Sequence, residues 1–333
     1  MFYFDKKQKD SVIQAGKLGT LGPLLSLLGG FPLGTTFGRV ALLDIDQRAY
    51  AAFGQATFHV TDQFSLIAGA RYTDDKLSDV STSLTPATTP SLTSYGYAFT
   101  PLFFLAPVNQ KVKINNFSWK LGAQYELSNR VNAYFTATRG YKGPAVNDQA
   151  SPPIAIPIIR PEIPMAYELG IKGSFFDNRV LATLALFHNK VKNFQTSVYV
   201  PPSGSSPSGS FATGNAPYVI SKGVDFNVTA RPTDELTIVG GVLYNEGTYA
   251  DSFLVACAQG STPRVGNCSA AGLTTPVSQL AGVPKWRAVL NGEYATEVTD
   301  GITVFFQAGA TYEGKRFSGT TPHPLLDVPA ETV

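Results

Sequence analysis

The sequence predicts an all-β protein: an antiparallel up-and-down array of long strands that curves into a transmembrane β-barrel. Three observations carry this reading. Segments of roughly ten residues alternate apolar with small or polar side chains. Tight turns alternate strictly with long loops along the chain. Charged residues make up only 15% and aromatic residues 12%, while mean hydropathy is near zero. An average soluble domain carries roughly 25% charged residues. Apolar residues spread evenly by alternation, with one face of each strand oily and the other wet, produce this combination.

The same numbers exclude other classes. Net charge is +2 over 333 residues and no basic stripe is present, so electrostatic binding to nucleic acid is unsupported. No segment offers the roughly 20 apolar residues of a membrane-spanning helix. The best candidate, "LGTLGPLLSLLGGFPLG" at 18–34, is broken by Pro23, Pro32 and several glycines and reads as an apolar loop. The start, "MFYFDKKQKD", places charges where a signal peptide needs an apolar run; residues 1–10 read instead as an early strand.

Taken in order, residues 49–60 put Tyr50, Ala52, Gly54, Ala56, Phe58 and Val60 on one face. After a turn at Thr61–Gln63, Phe64, Leu66, Ala68, Ala70 and Tyr72 form a face opposed by Ser65, Gly69, Arg71 and Thr73. Trp119, Leu121, Ala123, Tyr125 and Leu127 alternate with Lys120, Gly122, Gln124 and Glu126. Segments 131–142 and 180–192 mix residue types on both faces, so their facing stays open. Val224, Phe226, Val228 and Ala230 alternate with Asp225, Asn227 and Thr229. Trp286, Ala288, Leu290 and Tyr294 alternate with Arg287, Asn291 and Glu293, and Ile302 to Tyr312 repeats the pattern.

Short connections fall at Thr61–Gln63, Ser128–Arg130, Asp177–Arg179, Thr233–Glu235 and Thr299–Gly301, where Asp, Asn, Thr and Gly supply turn chemistry. Long ones, rich in Pro, Ser, Thr and Gly, span 78–114, 145–162, 201–216 and 251–283. About eleven strands result. Alternation also builds soluble sandwiches, but repeated long loops without structure are uncommon in compact domains. Short turns on one rim, long loops on the other and strands of about 9–11 residues describe an outer-membrane barrel. In lipid every backbone polar group needs an internal partner, which only a closed sheet supplies. Tyr72, Tyr125, Tyr167, Trp286, Tyr294 and Tyr312, near strand ends, suit the interfacial aromatic girdles.

The segments "AAFGQATFHVTDQFSLIAGARYTDD", "FSWKLGAQYELSNRVNAYFTATRGYKG", "PEIPMAYELGIKGSFFDNRVLATLALFHNKVKNFQ", "SKGVDFNVTARPTDELTIVGGVLYNEGTYAD" and "GVPKWRAVLNGEYATEV" resemble strands of TonB-dependent outer-membrane receptors of the siderophore-receptor type. "FGQ", "RYT", "TRGYK", "YELGIK", "KGVDF" and "P.W" recur in that family in this order. The resemblance spans residues 45–317. It implies a 22-stranded barrel of which this chain is about half, not closed by itself. It also implies residence in the bacterial outer membrane and uptake energised by TonB through a plug. The ligand would be a bulky scarce nutrient, a ferric siderophore first. Plug, TonB box and an aromatic-ended last strand are not recognisable. Residues 1–333 are therefore expected to be one partial barrel domain, an internal fragment lacking the plug and the C-terminal strands. A passive porin, or a soluble or surface β-protein used in adhesion, are the alternative readings.

No catalytic signature occurs, and no enzyme activity or cofactor is expected. His59, His188 and His323 lie outside any HExxH and away from cysteine, so no metal site is assigned. Cys257 and Cys268 share the loop 251–283. An oxidising compartment permits a disulfide there, worth about 2–3 kcal/mol; two free thiols are the alternative. Loop aromatics Tyr95, Tyr97, Phe99, Phe103, Phe104 and Tyr199 could contact a planar ligand or pack the loops on one another. Arg71, Lys120, Glu126, Glu168, Lys172, Arg287 and Glu293 are assigned to the lumen side. There they would pair with one another or with a plug, or meet ligand. Arg139 and Lys142 of "TRGYK" are assigned structural roles near the long-loop rim.

Overall fold

The computed structural model describes residues 1–17, 36–83, 100–101, 108–147, 158–200, 210–256, 274–276, 279–317 and 327–332. Among these, eleven long strands run β1 (Phe2–Lys17), β2 (Thr36–His59), β3 (Phe64–Ser83), β4 (Val108–Ser128), β5 (Val131–Arg139) and β6 (Ile163–Phe175). They continue as β7 (Val180–Val200), β8 (Ser210–Ala230), β9 (Leu236–Tyr249), β10 (Trp286–Thr299) and β11 (Ile302–Glu313). Each pairs antiparallel with the next in chain order. The sheet is not closed: β1 ends it on one side, and on the other Glu331–Thr332 adds a short antiparallel pairing to β11. No helix among the described residues is long and apolar enough to cross a membrane.

Register shows why these residues make one curved wall. Phe64, Tyr125, Ala133, Ile171, Leu184, Phe226, Val242, Ala288 and Tyr312 form a single cross-strand row over nine strands. All point to one face, and that face is not packed against a second layer: Leu121 is 54% and Phe306 68% exposed. A contiguous apolar band of this size has no place on a monomer in water and matches the lipid-facing band of a barrel. All six Tyr and Trp residues assigned to the girdles lie on this outer face and are exposed.

The row starts on the first residue of β3 and reaches the penultimate residue of β11. At about 3.3 Å per residue and about 4.8 Å per strand, that climb corresponds to a strand tilt of about 40°, within the range of membrane barrels.

The short turns behave as their residues dictate. Thr61 Oγ1 accepts from the backbone N–H of Gln63 (3.3 Å) and Phe64 (2.9 Å), and Thr233 Oγ1 accepts from Leu236 N–H at 3.2 Å. Phe176, Asp177 and Asn178 turn through three consecutive positive φ angles, with Asn178 bonded to Ser174 at 2.7 Å. Neighbouring turns are linked along the rim by Arg130–Asp177 (3.1 Å) and Arg179–Asp234 (3.0 Å). Both pairs are solvent-exposed and of little energetic weight.

The long-loop end departs from expectation. Residues 78–114 are not one loop: β3 continues to Ser83 and β4 begins at Val108. Likewise β7 runs to Val200 and β8 begins at Ser210, which shortens the 201–216 connection. The β3 and β4 extensions carry Ser78, Lys111 and Lys113 at outer-face register positions, beyond the apolar band. The early strand extends past residue 10, to Lys17. The buried core sits here, on the inner face near the long loops. Val219, Tyr249, Phe253, Val255 and Ala216 form one cluster, with Phe194 and Leu280 packed on it.

Candidate functional site

The face opposite the apolar band is polar. One of its rows reads His59, Ser65, Gln124, Tyr134, Gly170, Ala185, Asp225, Leu243, Arg287, Glu313. Arg71, Lys120, Glu126, Glu168, Lys172, Arg287 and Glu293 all occupy register positions on this inner face. Some are satisfied locally. Arg287 pairs with Glu313, Glu293 accepts from Gln307, and Glu168 accepts from the Tyr134 hydroxyl at 2.7 Å. Arg71, Lys120 and Lys172 make no ion pair among the described residues. The Arg71 guanidinium lies 5.1 Å from the Phe2 ring centre and 5.7 Å from that of Phe53, within cation–π range.

A recess of about 460 Å³ opens on this wall, lined by Phe53, Gln55, Arg71, Lys120, Arg139 and Tyr141 among others. Its lining holds three cations and no carboxylate. Arg139 is oriented by Asn116 Oδ1 at 2.9 Å and by the Phe117 carbonyl. The result is a positively charged, aromatic-edged concavity suited to an anionic, partly planar group.

The segment after β5 folds inward and forms the upper border of the recess. Asp75 is only 3% exposed; it accepts from Gln47 Nε2 and from the Tyr141 hydroxyl, each at 3.2 Å. A side chain at Gly143 would place its Cβ 2.6 Å from Asp75 Oδ2, so the backbone can approach that closely only as glycine. Lys142 and Glu162 exchange backbone hydrogen bonds at 3.0 Å and an ion pair at 2.9 Å. Side-chain amides then fasten the segment to β7 and β8. Gln195 Nε2 donates to the Gly143 and Arg160 carbonyls (2.8 and 3.1 Å), and Asn215 bonds Arg160 and Asn193. Asn147 bonds both backbone groups of Thr213.

Burial first, then the adjacent Asp75 charge and the hydrogen bond to it, push the Tyr141 phenol above its ordinary value of 10.0. A raised folded-state value means that this docking contact is fully present below about pH 10 and is lost as pH climbs through the raised value. Tyr141→Phe removes one donor from a buried carboxylate. Opening of residues 140–147 is expected to become about 1–2 kcal/mol easier, so the Lys142 amide should exchange with deuterium roughly tenfold faster. Unchanged exchange would show that the amide clasp alone holds the segment.

Sequence reading did not find Asp75, Gln47 or the amides of Gln195, Asn215 and Asn147, whose partners lie far away in the chain. Tyr199, assigned to a loop, sits half-buried within β7, paired with Phe211. Tyr95, Tyr97, Phe99, Phe103, Phe104, His323, Cys257 and Cys268 lie outside the described residues. His59 Nδ1 sits 2.8 Å from Ser65 Oγ, while His188 falls on the outer face opposite Tyr167. Among the described residues no three His, Cys, Asp or Glu side chains gather as a metal site would require.

Comparison with known proteins agrees with the wall geometry. The metal-pseudopaline receptor CntO of Pseudomonas aeruginosa (strain UCBPP-PA14) is 26% identical over 215 residues, 64% of this chain and 25% of that protein. The ferric yersiniabactin uptake receptor FyuA from Yersinia pestis superposes with a TM-score of 0.66 at 16% identity, covering 88% of this chain and 38% of FyuA. The siderophore receptor PiuA from Acinetobacter baumannii gives 0.59 at 18% identity, covering 89% of this chain and 37% of PiuA. At these identities the two structures speak for the fold alone, and this chain spans a quarter to two fifths of such relatives. The family description "TonB dependent receptor-like, beta-barrel" matches residues 22–333. With its unclosed antiparallel wall, apolar outer band and polar inner face, the chain belongs to the β-barrel family of TonB-dependent receptors and resides in the outer membrane.

Proposed function

We propose that this chain forms part of the barrel wall of a receptor that captures an anionic metal chelate, a ferric siderophore first, and imports it with energy delivered by TonB. The observation that carries this reading is the inner-wall recess: Arg71, Lys120 and Arg139 beside Phe53 and Tyr141, without a carboxylate in the lining. A carboxylate- or catecholate-bearing ferric complex presents both the negative charge and the flat surface that such a wall favours. The name of one relative fits this substrate class: CntO is a metal-pseudopaline receptor. No covalent chemistry is required; binding and release are steps of a transporter, not of an enzyme.

The test is iron-limited growth and radiolabelled ferric-chelate uptake by cells carrying the full-length gene, with and without TonB. Uptake should require TonB, and Arg71→Glu combined with Lys120→Glu should weaken chelate binding at least tenfold, because two attractive charges become repulsive. Uptake that persists without TonB would overturn the energised reading. Binding unaffected by the double charge reversal would remove the recess from it.

A further inference from the structure

The outer face of the first four strands carries a charge pattern that uptake does not use. One cross-strand row reads Asp5, Arg48, Lys76, Lys113 from β1 to β4. Three cations thus stand at successive register positions on one face, where like charges side by side repel. Lys111 lies one position further along the same face of β4, opposite Ser78. A groove of about 470 Å³ runs between them, lined by Arg48, Lys76, Lys111 and Lys113 together with Asp46. Compensation is partial. Arg48 meets Asp46 at 3.0 Å and Asp5 at 3.9 Å, while Asp74 is shared between Lys113 (3.2 Å) and Lys76 (3.8 Å). Lys111 makes no ion pair among the described residues. Over residues 73–81 of β3 every inner-face residue is buried while Tyr72, Lys76 and Val80 on the outer face are exposed.

Height on the wall identifies what could neutralise this row. The next row toward the short turns holds Tyr3 and Tyr50, and the one after it Tyr72 and Phe117, all exposed aromatics. The cations therefore stand roughly 7 Å beyond the start of an aromatic belt, on the long-loop side, which is the outer leaflet in barrels of this kind. That level is occupied by lipid headgroups. A phosphate there could accept hydrogen bonds from several of these side chains at once, while its acyl chains lie along the Tyr72 and Phe117 surface below.

We infer that Arg48, Lys76, Lys111 and Lys113 form a site for the phosphate-bearing headgroup of an outer-leaflet lipid on the outside of the barrel. The inference depends on the outer-membrane placement and not on which ligand is imported. It is tested by titrating the full-length receptor in detergent with diphosphorylated lipid A, read by native mass spectrometry. The protein carrying Lys76→Gln, Lys111→Gln and Lys113→Gln is measured in parallel. Each cation removed should weaken binding roughly fivefold, and all three about a hundredfold. Unchanged heat-modifiable migration of the variant would show that the loss is one of binding. The dephosphorylated lipid should bind the wild type as weakly as the phosphorylated lipid binds the variant. Equal binding of lipid A to wild type and variant would overturn the site. So would equal binding of the dephosphorylated lipid, or displacement of lipid A by millimolar inorganic phosphate.

Discussion

Leu169→Arg in the full-length receptor is expected to cost about 2–4 kcal/mol of stability in a bilayer, against close to nothing for Thr136→Arg one strand away. Leu169 belongs to the outer row Phe135, Leu169, Leu186, Val224 and stands mid-strand in β6, 53% exposed. An arginine there must bring a guanidinium into acyl chains or reach a long way toward the headgroups. Thr136 sits at nearly the same height but faces inward, directly opposite Glu168, so an arginine gains a carboxylate neighbour and stays in a polar space. Urea unfolding from lipid vesicles, followed by tryptophan fluorescence and heat-modifiable mobility, measures both. Similar penalties at the two sites would mean that the inner and outer faces are wrongly assigned. The comparison isolates facing from every other property of the wall, because chain position and strand depth are nearly constant.

That facing was legible where apolar outer residues alternate with small or polar inner ones; over 131–142 and 180–192, where residues such as Leu181 and Phe187 take inner positions, it stayed open. Phe64, Leu121, Val228 and Phe306 stand in strict alternation with small or polar partners, and a period of two allows only one assignment. Turn positions were legible for the same local reason: Thr61, Asn178 and Thr233 make bonds within three or four residues of themselves. The outer-membrane reading followed from turns and alternation together, and the order of short family-like segments sharpened it.

The upper third of the wall was not legible. In "TDDKLSDVS" both faces are mainly polar: Asp74 and Lys76 on the outer face stand beyond the apolar band, and Asp75 and Asp79 on the inner face are buried. Binary patterning reads the stretch from residue 78 on as loop, although β3 runs on to Ser83. The inner burial of Asp75 comes from Tyr141 and Gln47, 66 and 28 residues away in sequence. The clasp of Asn147 on Thr213 likewise spans 66 residues. Such contacts leave no periodic trace, so the recess and the segment bordering it emerge only when the sheet is assembled.

Gly223→Ala is expected to be among the most damaging small substitutions in this wall, at roughly 3 kcal/mol or more. A Cβ at Gly223 would lie 1.8 Å from the Tyr244 carbonyl oxygen of the neighbouring strand and 2.9 Å from the Phe187 ring. The carbonyl belongs to the backbone of β9, so relief requires prising β8 from β9, and in lipid each ladder bond lost leaves an unsatisfied group. Gly170 provides the graded comparison. There the added Cβ meets the tip of the Tyr134 ring at 2.4 Å, and a side chain can swing. The swing sacrifices the 2.7 Å bond to Glu168, so Gly170→Ala should cost about 1–2 kcal/mol. At Gly292 nothing lies within 4 Å, and alanine there should be neutral or slightly stabilising by restricting the unfolded chain. Urea midpoints of the three full-length variants in vesicles should therefore fall in the order Gly292→Ala, Gly170→Ala, Gly223→Ala. A Gly223→Ala protein as stable as Gly292→Ala would mean that β8 and β9 do not approach at this register, which would detach the β9–β11 end of the wall from the pairing described.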